Sequence, residues 1–339
     1  MPVSSPFRRS AAARLLLLCV LAVCTLFAAF AGLRIGALPL SAADMFEALL
    51  RFDGSREHIV FLDVRLPRVA AGLLVGGALA VAGAIMQAIT GNPLASPGLL
   101  GVNAGAAFAV VLAVALLGAK SEATYIWYAF GGAALAAGIV YAVGTAGGRE
   151  PAQIRLILAG AVLATFLTAL TTAILIFDRA TLDAVRLWSI GSLAGRRMSS
   201  VLTVAPYTVA GLAGAILFSR EIMTLSLGET IARALGQNLG LWRAVAAAVV
   251  VLLAGSAVAL AGPVGFVGLV VPHIARLIVG TDYRWIIPFC AVGGALLVVA
   301  ADGFVRGLLP VRDVPVGVTM AILGTPVFIA LARRLAAFR

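Results

Sequence analysis

The sequence predicts an all-α polytopic membrane protein of about ten transmembrane helices, tightly packed and rich in small residues. Three observations lead there. Of 339 residues, 62% are hydrophobic and only 12% are charged, whereas soluble chains are roughly a quarter charged. A soluble fold of this length has nowhere to hide so much apolar surface. The apolar residues also fall in long runs, near the ~20 residues that a helix needs to cross a bilayer and far too long for barrel strands. Finally, glycine, alanine and serine are spread through the runs, as in "GGALAVAG" (Gly76 to Gly83) and "FGGAALAAG" (Phe130 to Gly138). Small residues let helix backbones approach closely, which is how helices associate in lipid.

Taken in order, the runs cover about 15–33, 69–90, 99–118, 124–146, 156–177, 200–219, 243–262, 264–280, 285–304 and 315–332, within a single transmembrane domain, 1–339. The first lies in "FRRSAAARLLLLCVLAVCTLFAAFAG". Its apolar stretch, Leu15 to Leu33, exceeds the usual signal-peptide core and reads as a retained helix. Between the second and third runs, Gln87 and "GNPLASPG" break the apolar pattern with Asn92, Pro93 and Pro97. Such a break is tolerated in lipid only where backbone is buried in protein or lines a cavity. "DAVRLWSIGSLAGRR" (Asp183 to Arg197) reads as an amphipathic half-helix at the membrane rim. The longest polar connections are Arg34 to Arg68 and Arg220 to Arg243.

The eighth run, "PVGFVGLVVPHIARLIVG" (Pro263 to Gly280), is the most irregular. Pro263 suits the first turn of a helix, where its missing N–H is not needed. Pro272 removes the hydrogen bond to the Gly268 carbonyl and predicts a kink. His273 and Arg276 then fall near the inner end, where a helix C-terminus favours positive charge. His273 reads as a hydrogen-bonded packing residue, not a metal ligand.

Several functions are excluded or disfavoured. The net charge of +11 comes from scattered arginines that form no basic stripe, so nucleic acid is not expected. Cys19, Cys24 and Cys290 show neither metal nor disulfide spacing. The single lysine, Lys120, lacks the glycines of a phosphate-binding loop, which Val114 and Ala119 replace. No acidic residue stands in the middle of a run, and proton-coupled carriers need one. An ATP-independent secondary carrier is thus the weaker reading, and energy for transport would come from another chain. Lys and Arg divide almost evenly between the two sides, thirteen against twelve. Arg8, Arg9, Arg14, Arg333, Arg334 and Arg339 at the ends favour cytoplasmic termini.

Taken together, "RLPRVAAGLLVGGALAVAGAIMQAITGNPLASPGLLGVNAGAAFA" (Arg65 to Ala109), "LILAGAVL", "LWSIGSL", "LGETIARALG", "GPVGFVGLVVPHIARLIVGTDYR", "ADGFVRG" and "VPVGVTMAILGTPVFIALARR" resemble one family. It is that of the permease subunits of type II, binding-protein-dependent ABC importers for iron–siderophore complexes, haem and vitamin B12. The resemblance runs from about residue 15 to the C-terminus. It implies a bacterial cytoplasmic (inner) membrane location and a second permease subunit, identical or related. It further implies two ATP-binding subunits carrying ATP and Mg, and an extracytoplasmic substrate-binding protein. No cofactor is expected on this chain. By residue, the resemblance implies docking of the binding protein on Arg65, Arg68 and Arg306. It also implies ATPase coupling through the segment 225–239, with Gly228, Glu229, Thr230, Arg233 and Gly236 at matching positions. Where the family has glutamate before the last run, this chain has Asp313, a shorter acid. A ferric siderophore is the expected cargo, with vitamin B12 or haem as alternatives.

Overall fold

The computed structural model describes residues 10–119, 122–147, 152–309 and 313–336. Arg8, Arg9, Lys120, Arg149, Arg312 and Arg339, which enter the charge argument, lie outside these residues. The described residues are helical, with no strand among them. The chain opens with α1 (Ala11–Arg34), the short α2 (Ala42–Leu50) and α3 (Arg56–Ile59), which runs through a π-helical turn, Val60–Arg65, into α4 (Leu66–Thr90). Next come α5 (Val102–Leu117), α6 (Glu122–Thr145), α7 (Ala152–Phe177), α8 (Arg179–Ser189) and α9 (Met198–Leu217). The chain finishes with α10 (Ser219–Ser226), α11 (Glu229–Ala234), α12 (Leu239–Ala261), α13 (Val267–Val279), α14 (Tyr283–Leu308) and α15 (Val316–Ala336).

Among the described residues, seven helices are long and apolar enough to cross a membrane: α1, the continuous α3–α4, α6, α7, α9, α12 and α14. That is fewer than the ten the sequence predicts. The other three apolar helices are α5, α13 and Val316–Ala330 of α15. Breaks shorten α5 and α13. Gly101 and Gly118, both in left-handed backbone, bracket α5. The 13 residues of α13 reach only about 20 Å at 1.5 Å per residue.

The centre of the molecule is α4, buried at every residue from Val75 to Thr90 and packed on α12, α13 and α14. Its glycines explain the closeness. A Cβ on Gly76 would lie 2.2 Å from the Gly294 carbonyl oxygen of α14, and one on Gly83 only 1.8 Å from that of Gly268 on α13. These helices meet backbone to backbone, with no room for any side chain. By contrast, α7 turns Leu158, Val162, Phe166 and Ile176 outward.

Pro263 departs from the expected first turn. Gly262, at φ +74°, ends α12, and Phe266, at φ +66°, precedes Val267. Pro263 therefore sits in a non-helical link. The loop after α8 is threaded against that link: Ser192 N–H donates to the Ala261 carbonyl (2.7 Å), and Gly317 N–H donates to the Gly191 carbonyl (2.9 Å). The half-helix itself begins at Arg179 because the Asp178 side chain caps it, accepting from Thr181 N–H at 3.1 Å.

Candidate docking and coupling sites

Two polar seams close the ends of the bundle. At the first end, the π-helical turn delivers Arg65 to the C-terminus of α1. Its Nη1 donates to the carbonyls of Leu33 (2.9 Å) and Arg34 (2.7 Å), and its Nη2 to that of Leu38. Arg306 of α14 serves the same helix end, its Nη2 donating to Gly32 O (3.1 Å) and its Nη1 to Ile35 O (3.2 Å). The last carbonyls of a helix lack partners and carry partial negative charge, so two guanidiniums satisfy both needs.

Arg68, one turn beyond Arg65, points elsewhere. Its Nε and Nη2 meet the Asp302 carboxylate at 2.9 to 3.2 Å, and its Nη1 meets Asp313 at 2.7 Å. Asp302 also pairs with Arg306 Nε at 3.0 Å, four residues along α14. Arg65, Arg68 and Arg306 are only 4%, 6% and 8% exposed, and Asp302 5%. The three arginines expected at the docking surface thus tie α1, α4 and α14 together internally. They also line an open groove with Arg56, Val64, Gly195 and Asp313. Asp302 was not singled out from the sequence, although its i, i+4 spacing from Arg306 was a usable signal.

At the second end, Gln87 resolves the proline in α13. Without an N–H at residue 272, the Gly268 carbonyl loses its helical donor, and Gln87 Nε2 takes that place at 3.3 Å. The same nitrogen donates to Ala95 O (3.2 Å), while Gln87 Oε1 accepts from Arg276 Nη2 (2.5 Å). A guanidinium can only donate and a carbonyl only accept, so the amide has one workable orientation. One buried side chain therefore joins α4, the break in α13 and the Asn92–Pro97 loop. In that loop Asn92 Oδ1 accepts from Leu94 N–H (2.9 Å), the buried Pro97 begins a 3-10 turn and Pro93 faces outward. His273 is half-buried on the same helix. Gln87, the loop, Pro272 and Arg276 come together, but Pro263 belongs to the opposite end.

Also at the second end, α10 and α11 form a short helical corner. Gly228 (φ +94°) and Gly236 (φ +77°) bracket α11, and a Cβ on either would meet nothing within 4 Å. Glu229 anchors the corner: it accepts from Arg233 Nη2 at 2.5 Å and from Arg243 Nη2, in α12, at 3.1 Å. The Arg243 hydrogen bond holds the Glu229 carboxyl below its ordinary range. Gln237 Nε2 donates to Glu221 O at 2.9 Å. Ala232 is buried beneath, while Leu227, Thr230, Ile231, Arg233 and Leu235 face out. An anchored corner with an apolar outer face has the makings of a partner surface.

Apolar membrane-length helices, broken by proline and glycine and closed by polar seams, define a polytopic membrane permease. The chain belongs to the FecCD transport family, whose pattern matches residues 23–334. It is a translocation subunit of the type II ABC importer kind. One relative is the "Probable siderophore transport system permease protein YfiZ" of Bacillus subtilis, 44% identical over 93% of this chain and 96% of the relative. The ferric enterobactin transport system permease protein FepD of Escherichia coli is 43% identical over 89% of this chain and 90% of its own length. A cobalamin import system permease protein, BtuC of Halobacterium salinarum, is 35% identical over 88% of this chain and 80% of its own. Among solved structures, "An inward-facing conformation of a putative metal-chelate type ABC transporter" superposes with a TM-score of 0.83 at 26% identity, covering 94% of this chain and 99% of that one.

Proposed function

We propose that this chain is the permease of an ATP-driven importer of ferric siderophores. The observation that carries the reading is near-full-length similarity to permeases named for siderophore and ferric enterobactin transport. In this reading α5, α13 and α15 complete ten crossings, with α5 and α13 extended by the links 91–101 and 262–266, which are buried at Ala95, Pro97 and Val264. Both termini are cytoplasmic. The buried arginines support that orientation. Among the described residues, Arg65, Arg68, Arg196 and Arg306 are buried at the first end and only Arg243 at the second. Charges fixed by internal pairing do not vote on topology. Setting them aside breaks the near-tie toward cytoplasmic termini.

A second permease, identical or related, covers the outward apolar face of α7. Two ATP-binding subunits, carrying ATP and Mg, receive the α10–α11 corner at Gly228, Glu229, Thr230, Arg233 and Gly236. No cofactor resides on this chain. An extracytoplasmic binding protein docks over the groove of Arg65, Arg68 and Arg306, where acidic partners are steered by charge. ATP-driven movement at α11 reaches the pathway through α12 and the Gln87 junction of α4 with α13.

The test is uptake of radioiron-labelled siderophores in cells lacking the gene, beside labelled cobalamin and haem. Loss of one siderophore class, restored by the gene, is the expected result. Intact iron uptake with lost cobalamin or haem uptake would replace the cargo and keep the machine.

A further inference from the structure

We infer that Asp313 is a built-in occupant of the arginine cluster, a carboxylate that a docking partner's own carboxylate displaces from Arg68. The inference rests on the reading of this groove as the receptor for the binding protein.

The charges come first. Among the described residues, three guanidiniums (Arg65, Arg68, Arg306) face two carboxylates (Asp302, Asp313), and Arg65 is answered by carbonyls alone. Removing Asp313 leaves one carboxylate, already shared between Arg68 and Arg306. The seam is thus short of negative charge, and Asp313 supplies part of what is missing.

Access comes second. The Asp302 side chain is 5% exposed, and the carbonyl partners are fixed in the backbone around the end of α1. The Asp313 side chain is 69% exposed, although the guanidinium it holds is only 7% exposed. Of these contacts, the Arg68–Asp313 bond alone has a partner that can swing into solvent without moving a helix.

The exchange is also physically easy. A carboxylate replaces a carboxylate on the same Nη1, so the buried Arg68 is never left with a bare donor, the costly alternative. Asp313 then works against docking. It lowers affinity, and it can recapture Arg68 when the partner leaves. Its position gives the exchange a structural echo. Asp313 lies three residues before α15, whose Gly317 N–H is bonded to Gly191 in the loop after α8. Releasing Asp313 loosens the approach to both.

The experiment uses the full chain in phosphatidylcholine nanodiscs and an immobilised glutamate decapeptide as the acidic probe, with binding followed at rising salt. Asp313→Asn keeps a hydrogen-bond acceptor for Arg68 while removing the competing charge. It is expected to bind about fivefold tighter than the parent chain, an effect that salt erases. Asp313→Glu should bind as the parent does. Asp183→Asn, which removes an exposed charge on α8 at the same end, should change binding less than about twofold. Parent binding with no gain in Asp313→Asn beyond that of Asp183→Asn overturns the inference alone. Weaker binding by Asp313→Asn does the same, since it would make Asp313 part of the contact. No binding by any variant overturns the docking reading along with it.

Discussion

The two ends of the bundle handle charge in opposite ways. At the first, arginines are drawn inward, spent on the C-terminus of α1 and on Asp302, and all three are nearly inaccessible. At the second, Arg233 is exposed and Arg276 half-buried. Arg276 is held by the neutral Gln87, while Arg233 and Arg243 share Glu229 of α11. The first end is a seam that locks helices together. The second buries Gln87 and Arg243 but keeps Arg233 and the α11 corner where they can be handled from outside. A permease that must receive a visitor at one end and be driven at the other has reason to build them differently.

The sharpest way to break this contrast is Asp302→Ala. It leaves Arg68 and Arg306 buried without their inner carboxylate, at a cost of about 3–5 kcal/mol. A large fall in melting temperature in nanodiscs is expected, and an unchanged melt would show that the first end is not locked. Gln87→Leu should have a smaller effect. It strips the Gly268 carbonyl and Arg276 of a partner, costing about 1–3 kcal/mol. Faster hydrogen exchange confined to α13 and the Asn92–Pro97 loop is the expected signature; uniform protection would remove Gln87 as the junction. The smallest stability effect is expected at Gly236. Ala there meets no neighbour but must adopt a left-handed backbone, at about 1–2 kcal/mol. Gly236→Trp should melt much like Gly236→Ala yet lose ATP-coupled transport, and normal transport would detach α11 from coupling.

The long apolar runs, the first helix among them, were legible because length and hydropathy alone define a bilayer crossing, whereas the breaks that shorten α5 and α13 were not. Gly228 and Gly236 were legible as punctuation of α11. Other features were hidden by sequence distance. Gln87 was visible only as a polar interruption, because its partners, Gly268 and Arg276, lie more than 180 residues away. The arginines were read as outward because a flanking arginine and a buried one look alike in sequence. What separates them is distant partners: Asp302 for Arg68 and Arg306, and the last carbonyls of α1 for Arg65. Pro263 was misplaced for a different reason. Proline fits a first helical turn, but the left-handed Phe266 postpones the helix by four residues, and nothing local announces a strained aromatic.

The backbone contacts of α4 have a consequence for how the sequence can vary. Every missense change of a glycine codon introduces a residue that carries a Cβ. At Gly76 and Gly83 that first carbon would fall inside a neighbouring carbonyl, so no single-base missense change there is mild. The outward side of α1, at Leu16, Val23 and Leu26, has no such restriction. Drift in this gene should therefore be written on α1 before it touches α4.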